Sequence, residues 1–137
     1  MIAVDTSVAV VAFGDWHARN RDAAAVINEG ASIPVHALLE TYSVLTGFPP
    51  PHRAAPTVVQ TWLDARFEHV LEPPGVDRHR ELIRRLADAG RNGGAIYDGL
   101  VGINMHAAGG VLVTADERAL PIYDLLEVDV RMLPVAR

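Results

Sequence analysis

The chain contains no cysteine, which removes disulfides, zinc–thiolate sites and thiol nucleophiles from consideration. It contains no lysine either, so all twelve basic residues are arginine. Chemistry that depends on a lysine ammonium is thereby excluded, and the guanidinium groups that remain suit planar, bidentate recognition of phosphate. The coding bias of a GC-rich genome, visible also in the abundance of Ala, Val, Gly and Pro, accounts for most of this preference. Long apolar runs are missing as well. A stretch such as Val8 to Phe13 falls far short of the ~18 residues that span a bilayer. No charged-then-apolar leader precedes the first strand-like run. A soluble, cytoplasmic protein with no membrane partner is the expectation.

What is present fits one domain over residues 1–137, large enough to bury a core. Half of the residues are apolar, enough to drive folding. The formal net charge of −5 argues mildly against nucleic-acid binding when taken alone. Carboxylates gathered around divalent cations would hide several of those charges, so the sum misleads if a metal site exists.

Short β-like runs alternate with longer helix-like stretches, which predicts an α/β fold with a mostly parallel sheet of about five strands. Strands are expected at Met1 to Val4, Ala31 to Pro34, Phe67 to Leu71, Val111 to Thr114 and, at an edge, Val130 to Leu133. Helices are expected over Thr6 to Phe13, His17 to Glu29, Val35 to Thr46, Val58 to Ala65, Asp77 to Ala89, Ala95 to Ala108 and Glu117 to Leu126. In the third of these, Leu38, Leu39, Tyr42 and Leu45 recur at helical spacing, and in the fifth Leu82, Ile83 and Leu86 share one side. Pro49-Pro50-Pro51 ends the third helix in a stiff link. There is no internal repeat and no linker long enough to divide the chain.

Ligands in open parallel sheets gather at the carboxyl ends of the strands. Asp5 ends the first strand there, and Asp116 lies two residues past the fourth. Glu40 sits in the helix after the second strand, and Asp98 opens the helix that leads into the fourth strand. All four acids therefore map to one edge. Asp5 follows an apolar run, and Glu40 interrupts an apolar face beside Leu38, Leu39 and Val44. Buried carboxylates are costly unless paired or metal-bound, and oxygen-only donors suit Mg²⁺ or Mn²⁺. Helix capping is the competing explanation for Asp5, Asp98 and Asp116, with Thr114. Glu40, inside its helix, has no comparable cap role.

These residues also carry a resemblance. Ile2-Ala3-Val4-Asp5-Thr6-Ser7 is similar to the opening of PIN-domain toxins, and Ala37-Leu38-Leu39-Glu40-Thr41-Tyr42-Ser43-Val44-Leu45 to the segment with that family's second acid. Gly93-Gly94-Ala95-Ile96-Tyr97-Asp98-Gly99-Leu100 resembles its Gly-Gly-x-x-Tyr-Asp-Ala-Leu segment. Leu112-Val113-Thr114-Ala115-Asp116-Glu117-Arg118 resembles its last motif, and Pro49-Pro50-Pro51-His52-Arg53 a link found in VapC toxins. The one departure, Gly99 for Ala, is expected to loosen the helix start slightly without touching a ligand.

The resemblance implies a three-layer α/β/α sandwich and a Mg²⁺- or Mn²⁺-dependent endoribonuclease, the toxin of a VapBC toxin–antitoxin pair. It implies that Asp5, Glu40, Asp98 and Asp116 are the metal-holding and catalytic residues. A metal-activated water would cut cellular RNA, tRNA or rRNA, to inhibit translation, leaving a 5′-phosphate and a 3′-hydroxyl. It further implies a small VapB-type antitoxin, blocking the acidic pocket with a basic side chain, and a homodimer. Thr6 and Thr114 carry hydroxyls near the acids that would orient them or a water, although capping explains both as well. Arg118 is placed to meet RNA backbone or simply solvent.

The six histidines show no metal-ligand spacing, and His106 is expected in the core or an interface. Trp16 and Trp62 are expected to pack rather than stack on bases, and Arg84-Arg85 to form a solvated helix face. A phosphoacceptor receiver domain needs a lysine beside its Asp, and none exists. A dehalogenase-type phosphatase needs an acid where Ser7 stands. Two rivals remain: a PIN nuclease of RNA processing or DNA repair, and a non-catalytic dimeric binding module.

Overall fold

The computed structural model describes residues 1–134. Strand β1 (Ile2–Val4) leads into α1 (Thr6–Phe13) and α2 (Asn20–Asn28), followed by β2 (Ile33–Pro34). Then come α3 (Val35–Gly47), α4 (Pro56–Arg66), β3 (Val70–Leu71), α5 (Val76–Asp88) and α6 (Ala95–Ala108). Strand β4 (Val111–Thr114), a 3₁₀ turn (Glu117–Ala119), α7 (Leu120–Leu125) and β5 (Asp129–Met132) complete the described chain.

Strand β4 pairs in parallel with β1 on one side and β5 on the other, and β2 pairs in parallel with β3. A parallel bridge between Ala3 and Ser32 joins the two groups, secured by Val4 N–H donating to the Ser32 carbonyl at 2.9 Å. The strand order is therefore β3-β2-β1-β4-β5, with β1 central, as its apolar, fully buried Ala3 and Val4 require. Helices α1 to α4 pack together, and α5, α6 and α7 form a second group. The result is the α/β fold with a parallel sheet that the residue pattern predicts, arranged as the α/β/α sandwich that the resemblance implies. Among the described residues, no helix is long and apolar enough to cross a membrane.

The departures from expectation have local causes. Residues 17–19 form a turn rather than a helix, because His17 Nδ1 accepts from the Arg19 backbone. Asn20 instead binds the Val11 and Ala12 carbonyls at the end of α1, so α2 starts there. Helix α4 starts at Pro56, two residues early, with proline suited to a first-turn site that needs no N–H donor. Phe67 caps α4 and buries its ring, which shortens β3 to Val70–Leu71.

Some expected core positions lie outside the core. The buried face of α3 is Ala37, Thr41 and Leu45, while Leu39 and Tyr42 are exposed. With Leu38 they line a shallow groove against Pro56, Gln60 and Leu63 of α4. Ile83 faces solvent, and so does His106, which is not a core residue. Arg85 is not merely solvated, since it donates to the Leu125 carbonyl.

Candidate active site

The carboxyl edge of the sheet is where β1 ends in Asp5 and β4 runs toward Asp116. Helices α3 and α6 both begin at that edge, since β2 runs directly into α3 and α6 precedes the parallel strand β4. Glu40 and Asp98 therefore lie in the opening turns of their helices, close to the other two acids.

Asp5 is the most constrained of the four, with 4% of its surface exposed. Its Oδ1 accepts from Ser7 Oγ and, at 3.4 Å, from the Val8 backbone N–H. Its Oδ2 accepts from Thr114 Oγ1 and, at 2.8 Å, from the Tyr123 hydroxyl. Asp5 thus caps α1, as the competing explanation held, but the cap is the longest of its four bonds. Burial pushes its carboxyl above the ordinary range, and the hydrogen bonds from Ser7, Thr114, Tyr123 and Val8 pull it back. The Tyr123 hydroxyl is in turn pushed well above its ordinary range, first by burial and then by the Asp5 charge.

Thr114 is a hub rather than a cap. Its Oγ1 donates to Asp5, accepts from the Asp116 N–H at 3.1 Å, and lies 3.3 Å from Ser7 Oγ. Asp116 does cap the 3₁₀ turn, accepting from Arg118 N–H at 3.0 Å, while the exposed Arg118 side chain lies 3.5 Å away from the same oxygen. Asp98 is no cap at all, because α6 starts three residues earlier behind Gly94.

The Asp98 carboxyl is pushed up to about 6. Burial is the largest cause, followed by the negative charges of Asp116, Asp5 and Glu40, with Arg118 offsetting part. Asp116, Asp5 and Glu40 thus all lie within electrostatic reach of Asp98. Among the described residues, however, no group of three or more acids or histidines is closed into a ready coordination cage. Glu40 is half-buried rather than set into an apolar face, and its Oε2 lies 3.6 Å from His36 Nε2.

Two buried side-chain atoms at this edge, Thr6 Oγ1 and His36 Nε2, find no hydrogen-bond partner among the described residues. Buried polar atoms left without a partner commonly mark a bound water or ion, and these two adjoin Asp5 in sequence and Glu40 at 3.6 Å, respectively. Hard oxygen donors without lysine or thiol fit a divalent cation such as Mg²⁺ or Mn²⁺.

Ser7, Tyr123, His36 and Tyr97 went unread as site residues in the sequence. Ser7 closes the Asp5-Thr6-Ser7 run at the start of α1. Tyr123 lies within the expected last helix, and the signal available for it is that a buried tyrosine hydroxyl demands a partner. His36 stacks on the exposed ring of Tyr97 with centroids 5.6 Å apart and planes 3° from parallel. The tryptophans pack as expected: Trp62 lies edge-on to Phe13 and Phe67, and Trp16 against Phe48 and His52 beyond the far end of α1.

Compared with known families, residues 2–125 match the PIN domain. Ribonuclease VapC40 of Mycobacterium tuberculosis is 43% identical over 134 residues, spanning 97% of this chain and 99% of that protein. Ribonuclease VapC27 of the same organism is 37% identical over 134 residues, 94% of each chain. Among solved structures, DNA-bound VapBC from Salmonella typhimurium superposes with a TM-score of 0.71 at 18% identity, over 97% of this chain and 98% of that one. At that identity the likeness is one of fold.

Proposed function

The chain belongs to the VapC group of the PIN-domain family, and from that premise we propose that it is a Mg²⁺- or Mn²⁺-dependent endoribonuclease, the toxin of a toxin–antitoxin pair. Asp5, Glu40, Asp98 and Asp116 are its metal-holding residues in this reading. The observation that carries it is the gathering of the four acids at the carboxyl edge of the sheet around the buried, hydrogen-bonded Asp5. Burial and the charges of the other three also raise Asp98. Such an arrangement costs stability that Arg118 offsets only in part, and a divalent cation relieves it.

Held by Asp5, Glu40, Asp98 and Asp116, such an ion would supply a water of lowered pKa and charge neutralisation at the scissile phosphate. The chain's own residues do the remaining work. Thr114, Ser7 and Tyr123 lock the Asp5 carboxylate into one orientation, so little freedom is lost when it binds. The orphaned Thr6 hydroxyl is free to accept or donate a hydrogen bond to a water at the site. Arg118, exposed beside Asp116, reaches toward a phosphate.

In the same reading the substrate is cellular RNA, tRNA or rRNA, met in the cytoplasm, and the active form is a homodimer. A small VapB-type antitoxin neutralises it by placing a basic side chain among the acids, where an arginine replaces the cation's charge.

The test is cleavage of a total-RNA pool by purified, antitoxin-free protein with Mg²⁺, with Mn²⁺ and with EDTA. Asp5→Asn and Asp98→Asn are assayed beside it after their folding is checked. Discrete fragments that vanish with EDTA and in both variants are expected. Intact RNA under all conditions points instead to a non-catalytic binding module. Cleavage indifferent to both substitutions rejects the site assignment.

A further inference from the structure

The stacked pair of His36 and Tyr97 is not among the groups that hold Asp5. Tyr97 is exposed over half of its surface, which leaves much of its ring open to a further partner. One side of the ring rests on His36, nearly parallel. Tyr97 directly precedes Asp98 on α6, and His36 lies one turn before Glu40 on α3, with Nε2 3.6 Å from that carboxylate. A flat group laid against this pair therefore sits beside two of the four acids. Every base has a π-face, and single-stranded nucleic acid is commonly held on such rings.

We propose that Tyr97, supported by His36, is a stacking platform for one nucleobase of the RNA, fixing the nucleotide whose phosphate meets the carboxylates. The inference rests on the ribonuclease reading and adds a specificity-determining residue to it. The competing role for the pair is a brace that merely pins α3 to α6 and so places Glu40 and Asp98. A brace and a platform differ in what their loss disturbs. A brace alters cation affinity, whereas a platform alters RNA affinity and leaves the cation alone.

The experiment uses the full chain with Ca²⁺ in place of Mn²⁺, and short single-stranded RNAs carrying 2-aminopurine at each position in turn. Quenching of 2-aminopurine reports stacking, and fluorescence anisotropy reports affinity. Affinity for Mn²⁺ is measured separately, without RNA, by paramagnetic resonance of the free ion. Tyr97→Ala is expected to bind the oligonucleotides about tenfold more weakly and to lose the quenching. Its KM should rise, with kcat and Mn²⁺ affinity nearly unchanged. Tyr97→Phe, which keeps the ring, should stay within about twofold of wild type.

Unchanged RNA affinity in Tyr97→Ala overturns the platform, as does a Phe variant that loses as much as Ala. Weakened Mn²⁺ affinity with intact RNA binding overturns it in favour of the brace. If wild type cuts RNA with Mn²⁺ while Tyr97→Ala keeps its KM, the platform fails alone. If wild type neither binds nor cuts, the ribonuclease reading fails with it.

Discussion

At the scale of single residues, Asp5 and Asp98 carry the same charge under opposite regimes. Asp5 has four donors aimed at it, whereas Asp98 is raised first by burial and then by the negative charges of Asp116, Asp5 and Glu40. Removing one Asp5 donor should therefore be tolerable when nothing else is orphaned. Tyr123→Phe deletes a hydroxyl that serves only Asp5, and should cost about 1 kcal/mol. Thr114→Val also strips the Asp116 N–H of its acceptor, and should cost about 2–3 kcal/mol because a donor is left unpaired. Urea unfolding separates the two, and Thr114→Val should show the larger fall in RNA cleavage.

For Asp98 the prediction concerns pH. Its folded pKa of about 6 lies above its unfolded value of 3.8, so between these values the folded state binds more protons. Metal-free stability should therefore be greatest below pH 4 as far as this group is concerned, and fall as pH rises through 6. Asp98→Asn should flatten that slope and raise metal-free stability at pH 7 by about 1 kcal/mol, a figure already discounted for solvent screening. A variant less stable than wild type at pH 7, with the slope unchanged, contradicts the field of the acids.

At the scale of elements, α6 shows what a sequence hides. Gly99 reads as a weak spot in a helix, but the structure gives it a packing role. A Cβ there would come within 2.7 Å of Leu82 Cδ1 and 3.1 Å of Cδ2, and one on Gly102 within 2.6 Å of Leu126 Cδ1. Helix α6 thus offers two glycines against which the buried leucines of α5 and the α7 end come close. Gly99→Ala gains about 1 kcal/mol of helix propensity but overpacks a buried leucine at about 1–3 kcal/mol. A net loss of about 1 kcal/mol is expected. In the double variant Gly99→Ala with Leu82→Val the losses should fall short of their sum by more than about 0.5 kcal/mol. Strict additivity in urea unfolding would show that the two side chains do not compete for the same space.

The alternation of elements was legible because short apolar runs between helical periods leave few other folds. Boundaries were not, since the Asn20 side chain decides one by reaching back to the Val11 and Ala12 carbonyls, and Phe67 decides another by capping α4 with its backbone N–H on the Leu63 carbonyl. The acid edge was legible too, as it follows from strand polarity and topology rather than from contacts. What supports the acids was not. Tyr123 meets Asp5 across 118 positions of sequence, and the stack of His36 on Tyr97 exists only once α3 and α6 lie side by side.

At the scale of the whole molecule, a net charge of −5 is spread unevenly, with four carboxylates held at one sheet edge. Folding must gather them against their repulsion, so the fold holds back stability that a cation restores on binding. Linkage sets the size of the effect: at a hundred times its dissociation constant, an ion that binds only the folded state adds about 2.7 kcal/mol. Mn²⁺ should therefore raise the melting temperature of the free protein by several degrees, and EDTA should reverse the gain. Asp5→Asn should show a smaller rise, because it removes one negative charge and one oxygen ligand together. Asp124→Asn, which removes a charge from the exposed side of α7, should respond like wild type. An equal rise in every variant would assign the stabilisation to surface charge in general, and an absent rise would deny the acid edge its cation.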